Sequence, residues 1–343
     1  MKRTNKTPLY FSDIMKYRSF LYGLAALWIF FLHIPYKIPL TGAWTILSYI
    51  QNFGACGVEM FALMAGCGLY YSLKKHGIRT FYLRRALRVW LPVFLIYLVV
   101  CTFMEYSTLK TLGTLSVIGY WAKMPASWFA GFILLMYLVY PAFYWLLDNR
   151  RKLFCILCAL AWPAVLALLI VFEEALLPIK QGLTRIPVFM LGVAFTPAFL
   201  ENRKLPRLIP AGFLIAGLAI SAFASAHSFP LGIDYWVRTL SYTCISLCLI
   251  PLFTYLARFI LKIRFGRALY KPVAFVGGIS LEFYVLFVTV CKAMLLMPVN
   301  GSESDHLLKI SLLSGIISIV LSVVVKWLCD LLVQEYSKTK LPE

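Results

Sequence analysis

Apolar residues fill the chain in long runs, and short polar stretches separate one run from the next. A helix needs about 20 apolar residues to span the hydrocarbon core of a membrane. Backbone polar groups in lipid have to be satisfied within the segment, which favours helices and excludes open strands. The runs predict ten transmembrane helices, over residues 19–36, 54–73, 89–107, 128–147, 153–172, 186–200, 208–225, 239–258, 272–296 and 310–334. The predicted fold is therefore an all-α, polytopic membrane bundle.

The composition supports lipid as the surrounding solvent. Hydrophobic residues make up 62% of the chain and charged residues 14%, whereas soluble domains have about 45–50% and about 25%. Because apolar segments run almost end to end, we expect a single transmembrane domain over residues 1–343. The nine cysteines fall within or at the ends of apolar segments. They predict packing side chains rather than disulfides, and no metal site is expected.

The formal charge of +19 follows the predicted topology. Of the 33 basic residues, 24 flank the helices on one side and 7 on the other, with Lys292 and Lys326 inside helices. Basic loops face the cytoplasm in membrane proteins. The split predicts cytoplasmic termini and a multi-pass protein of the plasma (cytoplasmic) membrane. The charge thus orients the helices and does not indicate nucleic-acid binding.

Ionisable side chains inside membrane helices are costly, so each is a functional hypothesis. His33 lies 15 residues beyond Arg18, or roughly 22 Å along a helix, and Glu59 is expected at a similar depth. Either a catalytic imidazole with an orienting carboxylate or an interfacial histidine beside an ion pair fits this pattern. The remaining candidates are Glu282, Lys292, and the i,i+4 pair Lys326 and Asp330, which we expect to bind one another.

The loop between the second and third predicted helices is the most basic of the chain. Arg85 and Arg88 are spaced to project from one helix face, and Arg84 lies beside them. Arginine forks bind phosphate in two places at once, so a nucleotide-bearing donor such as coenzyme A suits this cluster. Simple anchoring of the helix ends is the alternative.

Four stretches occur in a fixed order along the chain. They are Arg18–His33, Gly57–Gly66 with its continuation to Pro92, Trp128–Pro141, and Arg185–Gly192 together with Gly278–Tyr284. In this order they resemble the acyltransferase-3 family of integral membrane acyltransferases. The chain departs from the family pattern at Tyr22, Ala65 and Phe287, where the family commonly has an arginine, a serine and a histidine.

The resemblance implies a membrane O-acyltransferase. It would take an acyl group, expected to be acetyl, from cytoplasmic acyl-CoA and transfer it to a hydroxyl of a cell-surface carbohydrate or lipid-linked sugar outside. His33 would be the general base with Glu59 beside it, and Arg84, Arg85 and Arg88 would hold the donor. Two alternatives stay open: a transporter or flippase of a polar envelope precursor, and a non-catalytic membrane scaffold of the same fold.

Overall fold

A computed structural model describes residues 8–38, 42–104, 106–205, 208–296 and 303–340. These residues form helices and connecting turns, and one isolated antiparallel bridge joins Tyr10 to Lys204. The all-α prediction is confirmed. The helices are α1 (Phe11–Lys16), α2 (Arg18–His33), α3 (Thr45–Asn52), α4 (Cys56–Arg85), α5 (Leu91–Thr102), α6 (Thr108–Ser116), α7 (Trp128–Asn149), α8 (Arg151–Val171), α9 (Glu173–Leu176), α10 (Lys180–Ala194), α11 (Thr196–Leu200), α12 (Ile209–Ala226), α13 (Leu231–Ile260), α14 (Gly266–Gly278), α15 (Ser280–Met294) and α16 (Glu303–Lys340).

The described helices include seven that are long and apolar enough to cross a membrane, or eight if the bent pair α14–α15 is one span. One of the seven is the 58-residue stretch Thr45–Thr102, which includes the predicted segment 54–73 and most of the segment 89–107. Gly77 interrupts it with a left-handed φ of 72°, a conformation that glycine adopts without steric cost. The 16-residue helix α2 is apolar but shorter than this set. The count of ten spans and the cytoplasmic termini stay predictions.

The ninth predicted segment, 272–296, is not one straight helix. The chain bends by 74° between α14 and α15, with Ile279 at the break. The two glycines at the end of α14 favour this break, because glycine is a poor helix former. Apolar content alone does not indicate the bend, because both halves of the segment are apolar.

Two pairs of helices approach so closely that only glycine fits between them. A Cβ on Gly277 of α14 would lie 1.8 Å from the Ser19 carbonyl oxygen of α2. A Cβ on Gly192 of α10 would lie 2.2 Å from the Leu63 carbonyl oxygen of α4. Small residues at helix interfaces are typical of membrane bundles, where backbone packing replaces the hydrophobic effect. These contacts fix α2 and α4, which carry His33 and Glu59.

Candidate active site

A cavity of about 760 Å³ opens beside the π-helical turn Ala86–Trp90. We call it the basic vestibule. Its charged and polar lining comes from three parts of the chain: Arg84 and Arg88 near the π-helical turn, Ser280 and Glu282 of α15, and Lys326 and Asp330 of α16. Three cations face two carboxylates, so the lining carries an excess of one positive charge. This is where the structure places two of the three predicted donor-binding arginines.

The third, Arg85, points elsewhere and does not line the vestibule. Its Nη2 donates to the Ser72 hydroxyl over 3.1 Å, and its guanidinium lies 5.6 Å from the rings of both Phe81 and Tyr137. The structure thus places Arg84 and Arg88, rather than Arg85 and Arg88, in the lining of the vestibule. The π-helical turn that begins at residue 86 changes the register that a regular helix would give.

A second cavity, of about 140 Å³, lies between α2, α4, α7 and α15. We call it the tyrosine cavity because Tyr22, Tyr137 and Tyr284 line it among mostly apolar side chains. Val89, Ser280 and Leu281 line both cavities, so the vestibule and the tyrosine cavity adjoin. The bend between α14 and α15 places Ser280 at this junction.

The three positions at which the chain departs from the family pattern meet in the tyrosine cavity. Tyr22, Ala65 and Phe287 all belong to its lining. The Tyr22 ring stacks on Phe61 with centroids 4.9 Å apart, and the Phe287 ring meets Phe30 at 4.7 Å. Aromatic packing thus takes the places of polar groups, and the cavity wall becomes more apolar than the family pattern implies.

His33 is the last residue of α2, and its side chain is exposed there. The sequence predicted a histidine inside a membrane helix, over 19–36, and the structure places it where that helix ends. Its Nδ1 lies 2.8 Å from the carbonyl oxygen of Ile29. Because a carbonyl oxygen only accepts, Nδ1 carries the proton in this contact, and Nε2 keeps its lone pair. The ring packs edge-on against Tyr284 at 6.2 Å, so it lies beside the wall of the tyrosine cavity.

Glu59 is fully buried and pairs with Arg185 of α10. Its Oε1 accepts from Arg185 Nη2 at 2.9 Å and from Nε at 3.1 Å. The guanidinium also donates to the Gln181 carbonyl and the Thr184 hydroxyl, and it lies 5.3 Å from the Trp128 ring. The second oxygen, Oε2, has no hydrogen-bond partner among the described residues. The carboxylate therefore joins α4 to α10.

The structure does not bring Glu59 and His33 together as a hydrogen-bonded dyad within the described residues. The carboxylate bonds to Arg185, while the Ile29 carbonyl orients the imidazole. Sequence reasoning counted Arg185 among the basic residues that flank helices, yet it lies inside α10 and is buried. In the sequence, Arg185 directly precedes an apolar run that contains Pro187, and this position could have indicated that it lies inside a membrane helix. A catalytic role of Glu59 stays a prediction.

A buried amide holds the segment that follows His33. Gln51 of α3 is 1% exposed, and its Nε2 donates to the carbonyl oxygens of Phe31 and Tyr36 at 3.0 and 3.1 Å. Its Oε1 accepts from the backbone N–H of Ile38 at 3.1 Å. One side chain thus satisfies backbone groups on both sides of the end of α2, where no helix partner exists. No sequence motif pointed to this residue.

The remaining charged candidates divide between the vestibule and the surface. Lys326 and Asp330 form the expected i,i+4 pair at 3.8 Å, with both side chains largely exposed. Glu282 is buried and lines the vestibule, whereas Lys292 is exposed. Beyond α2, burial lowers the pKa of the Lys37 ammonium, which donates to the backbone near the end of that helix. Among the described residues, no group of three histidine, cysteine or acidic side chains is arranged to hold a metal ion.

The chain is similar to a known protein family over most of its length. A family model described as an acyltransferase domain matches residues 20–331. That stretch contains the arginines of the vestibule, the tyrosine cavity, His33 and the Glu59–Arg185 pair. No curated protein and no solved structure matches the chain. The match covers most of the chain, so this multi-pass helical protein belongs to the acyltransferase-3 family of integral membrane acyltransferases.

Proposed function

We propose that this protein is a membrane O-acyltransferase that moves an acyl group from cytoplasmic acyl-CoA to a hydroxyl on the outer side. The observation that carries this proposal is the succession of two adjoining cavities. The basic vestibule adjoins the tyrosine cavity, and Tyr284 in the wall of that cavity packs against His33. A donor with an anionic head and a thin thioester arm fits this arrangement, with its head in the vestibule and its arm reaching toward the tyrosine cavity.

The donor head belongs in the vestibule. Arg84 and Arg88 are exposed, and neither forms an ion pair with a described residue. Their guanidinium groups are therefore available to the phosphates of coenzyme A, which they bind as planar forks. Lys326 adds a third positive charge, while Glu282 and Asp330 limit how many phosphates the lining favours.

The chemistry requires a base for the acceptor hydroxyl, because an alcohol attacks a thioester poorly until it loses its proton. Nε2 of His33 takes that proton, and the hydroxyl oxygen attacks the thioester carbonyl carbon. The new C–O bond forms as the C–S bond breaks, and the imidazolium returns the proton to the leaving thiolate. The Ile29 carbonyl supports this cycle, since it holds Nδ1–H and aims the other nitrogen away from the helix.

The acceptor and the location follow from the proposed sidedness. A cell-surface carbohydrate or a lipid-linked sugar supplies hydroxyl groups outside the plasma membrane, and acetyl-CoA supplies the acyl group from the cytoplasm. The exposure of His33 at the end of α2 supports an acceptor that approaches from outside the bundle rather than through it.

The test uses protein in lipid vesicles with labelled acetyl-CoA. The measured quantities are the label on the acceptor and the free thiol that the donor releases. His33→Ala should lower the rate by about 10²- to 10⁴-fold, the scale of a lost general base. His227→Ala is the matched control, because its Nδ1 also meets a backbone carbonyl, that of Phe223 at 3.0 Å, at an exposed helix end. A His33→Ala protein that transfers at the normal rate would remove the catalytic interpretation.

A further inference from the structure

The chemical character of the tyrosine cavity determines which part of a thioester donor suits it. Its wall is mainly aliphatic and aromatic, with hydroxyl groups at Tyr22, Tyr137, Ser280 and Tyr284. Burying an amide without a hydrogen-bond partner is unfavourable. A thioester and a short alkyl group have no N–H to satisfy, so they suit the apolar part of the wall.

The volume limits the number of atoms that fit. An apolar cavity of roughly 150 Å³ holds one benzene molecule, which has six heavy atoms. At about 140 Å³, the tyrosine cavity has room for a comparable group. The thioester, a short acyl chain and the two methylenes of cysteamine have about that size, whereas a whole pantetheine arm is larger and has to extend into the vestibule.

The hydroxyl of Tyr22 is the one best placed for the first amide of that arm. Tyr22 and Ile29 both line the cavity and are seven residues apart on α2, which is about 10 Å along the helix axis. Ile29 is at the end near His33, so Tyr22 is at the far end. The Tyr22 hydroxyl makes no hydrogen bond to any described residue, while stacking on Phe61 fixes its ring. The Tyr22 hydroxyl is therefore available to form a hydrogen bond with a group bound in the cavity.

We infer that the tyrosine cavity binds the cysteamine end of an acyl-pantetheine thioester, with the Tyr22 hydroxyl bonded to the amide nearest the sulfur. The acyl group lies toward Tyr284 and is limited to about two to four carbon atoms. This inference rests on the proposed function, and it adds the binding site for the arm and the size of the transferred group. Tyr22 is thus assigned as a donor-binding residue by its place in the wall of the cavity.

The experiment compares three acetyl donors in the vesicle assay. Acetyl-CoA has the nucleotide and the amides, S-acetyl-N-acetylcysteamine has only the amide nearest the sulfur, and S-ethyl thioacetate has neither. Tyr22→Phe should lower kcat/KM roughly two- to tenfold for the first two donors, the scale of one neutral hydrogen bond. It should leave S-ethyl thioacetate unchanged, because that donor has no amide to bind.

Two controls separate this site from general effects. Tyr140→Phe removes another buried hydroxyl that has no partner among the described residues, but Tyr140 does not line the cavity, so no donor should change. Arg88→Ala should lower kcat/KM for acetyl-CoA alone, because the other two donors have no nucleotide. In a chain-length series, butyryl-CoA should react within tenfold of acetyl-CoA, and octanoyl-CoA should be at least tenfold slower than either.

The outcomes distinguish the site from the activity. If Tyr22→Phe affects all three donors equally, or if octanoyl-CoA reacts as well as acetyl-CoA, the assignment of the cavity is wrong while the acyltransferase activity stands. If the folded wild-type protein transfers from none of the donors, the proposed function fails and the inference fails with it. Should Tyr22→Phe not fold, the chain-length series with the wild-type protein still tests the assignment of the cavity, since octanoyl-CoA reacting as well as acetyl-CoA would overturn it.

Discussion

The buried arginine of α10 and the arginines of the vestibule differ in what neutralises their charge. Arg185 donates from all three guanidinium nitrogens to protein acceptors and pairs with the carboxylate of Glu59. Arg84 and Arg88 are exposed in a cavity and form no ion pair with a described residue. An arginine whose three nitrogens all donate to protein acceptors holds helices together, whereas one without such acceptors retains the capacity to bind an anion. Charge alone, as counted along the sequence, does not make this distinction.

Breaking the buried pair should have the largest effect on stability. Arg185→Ala leaves the Glu59 carboxylate buried without its cation, and Glu59→Ala does the reverse, so each should destabilise the fold by about 3–5 kcal/mol. The double variant should lose less than the sum of the two, since no charge is left unpaired. Thermal unfolding in detergent, read by intrinsic fluorescence, measures all three. Additive losses would mean that the two residues act independently.

Removing one free arginine should affect binding rather than folding. Arg88→Ala should weaken coenzyme A binding by about 1.5–3 kcal/mol, the scale of a hydrogen bond to a charged group. Arg88→Lys should restore only part of it, because lysine lacks the planar fork. The measurement is calorimetric titration of coenzyme A into protein in lipid nanodiscs. Arg264→Ala, an exposed arginine after α13, is the control, and an equal loss there would indicate general electrostatics instead of a site.

The exposed pair in the vestibule should have the smallest effect. Lys326 and Asp330 are 3.8 Å apart with side chains 44% and 61% exposed, and exposed pairs contribute about 0–1 kcal/mol. Lys326→Met should therefore change thermal stability by less than about 0.5 kcal/mol. It should still weaken coenzyme A binding, though less than Arg88→Ala does, because it removes one of three cations. A stability loss as large as that of Arg185→Ala would mean that the pair is not solvated.

The fold class followed from the sequence because the length of apolar segments is a local property. Gly77 lies in the loop predicted between the second and third segments, so the break there agrees with the sequence. The bend at Ile279 did not follow, since it depends on how the end of α14 packs against a neighbouring helix. Gly277 illustrates this, because its close contact with the Ser19 carbonyl is a contact between α14 and α2. Hydropathy along one segment contains no information about such a contact.

The candidate site was predictable in its residue types and less so in its pairings. His33 and Glu59 were identified because ionisable groups within apolar segments are conspicuous, and the arginine cluster because its loop is the most basic of the chain. The partner of Glu59 was not, because Arg185 is 126 positions away and looked like a flanking charge. Gln51 and Tyr284 were missed as site residues for a related reason, since amides and tyrosines are common at membrane interfaces and become informative only when their contacts are known.

The most direct test of the account is the sidedness of transfer. For this test, sealed vesicles are prepared with labelled acetyl-CoA only in the compartment that the arginine loops face. The carbohydrate acceptor is added only on the opposite side of the membrane, outside. The account predicts labelled acceptor outside with the wild-type protein, and about 10²- to 10⁴-fold less with His33→Ala. Product that forms only when donor and acceptor share a compartment would contradict transfer across the bundle.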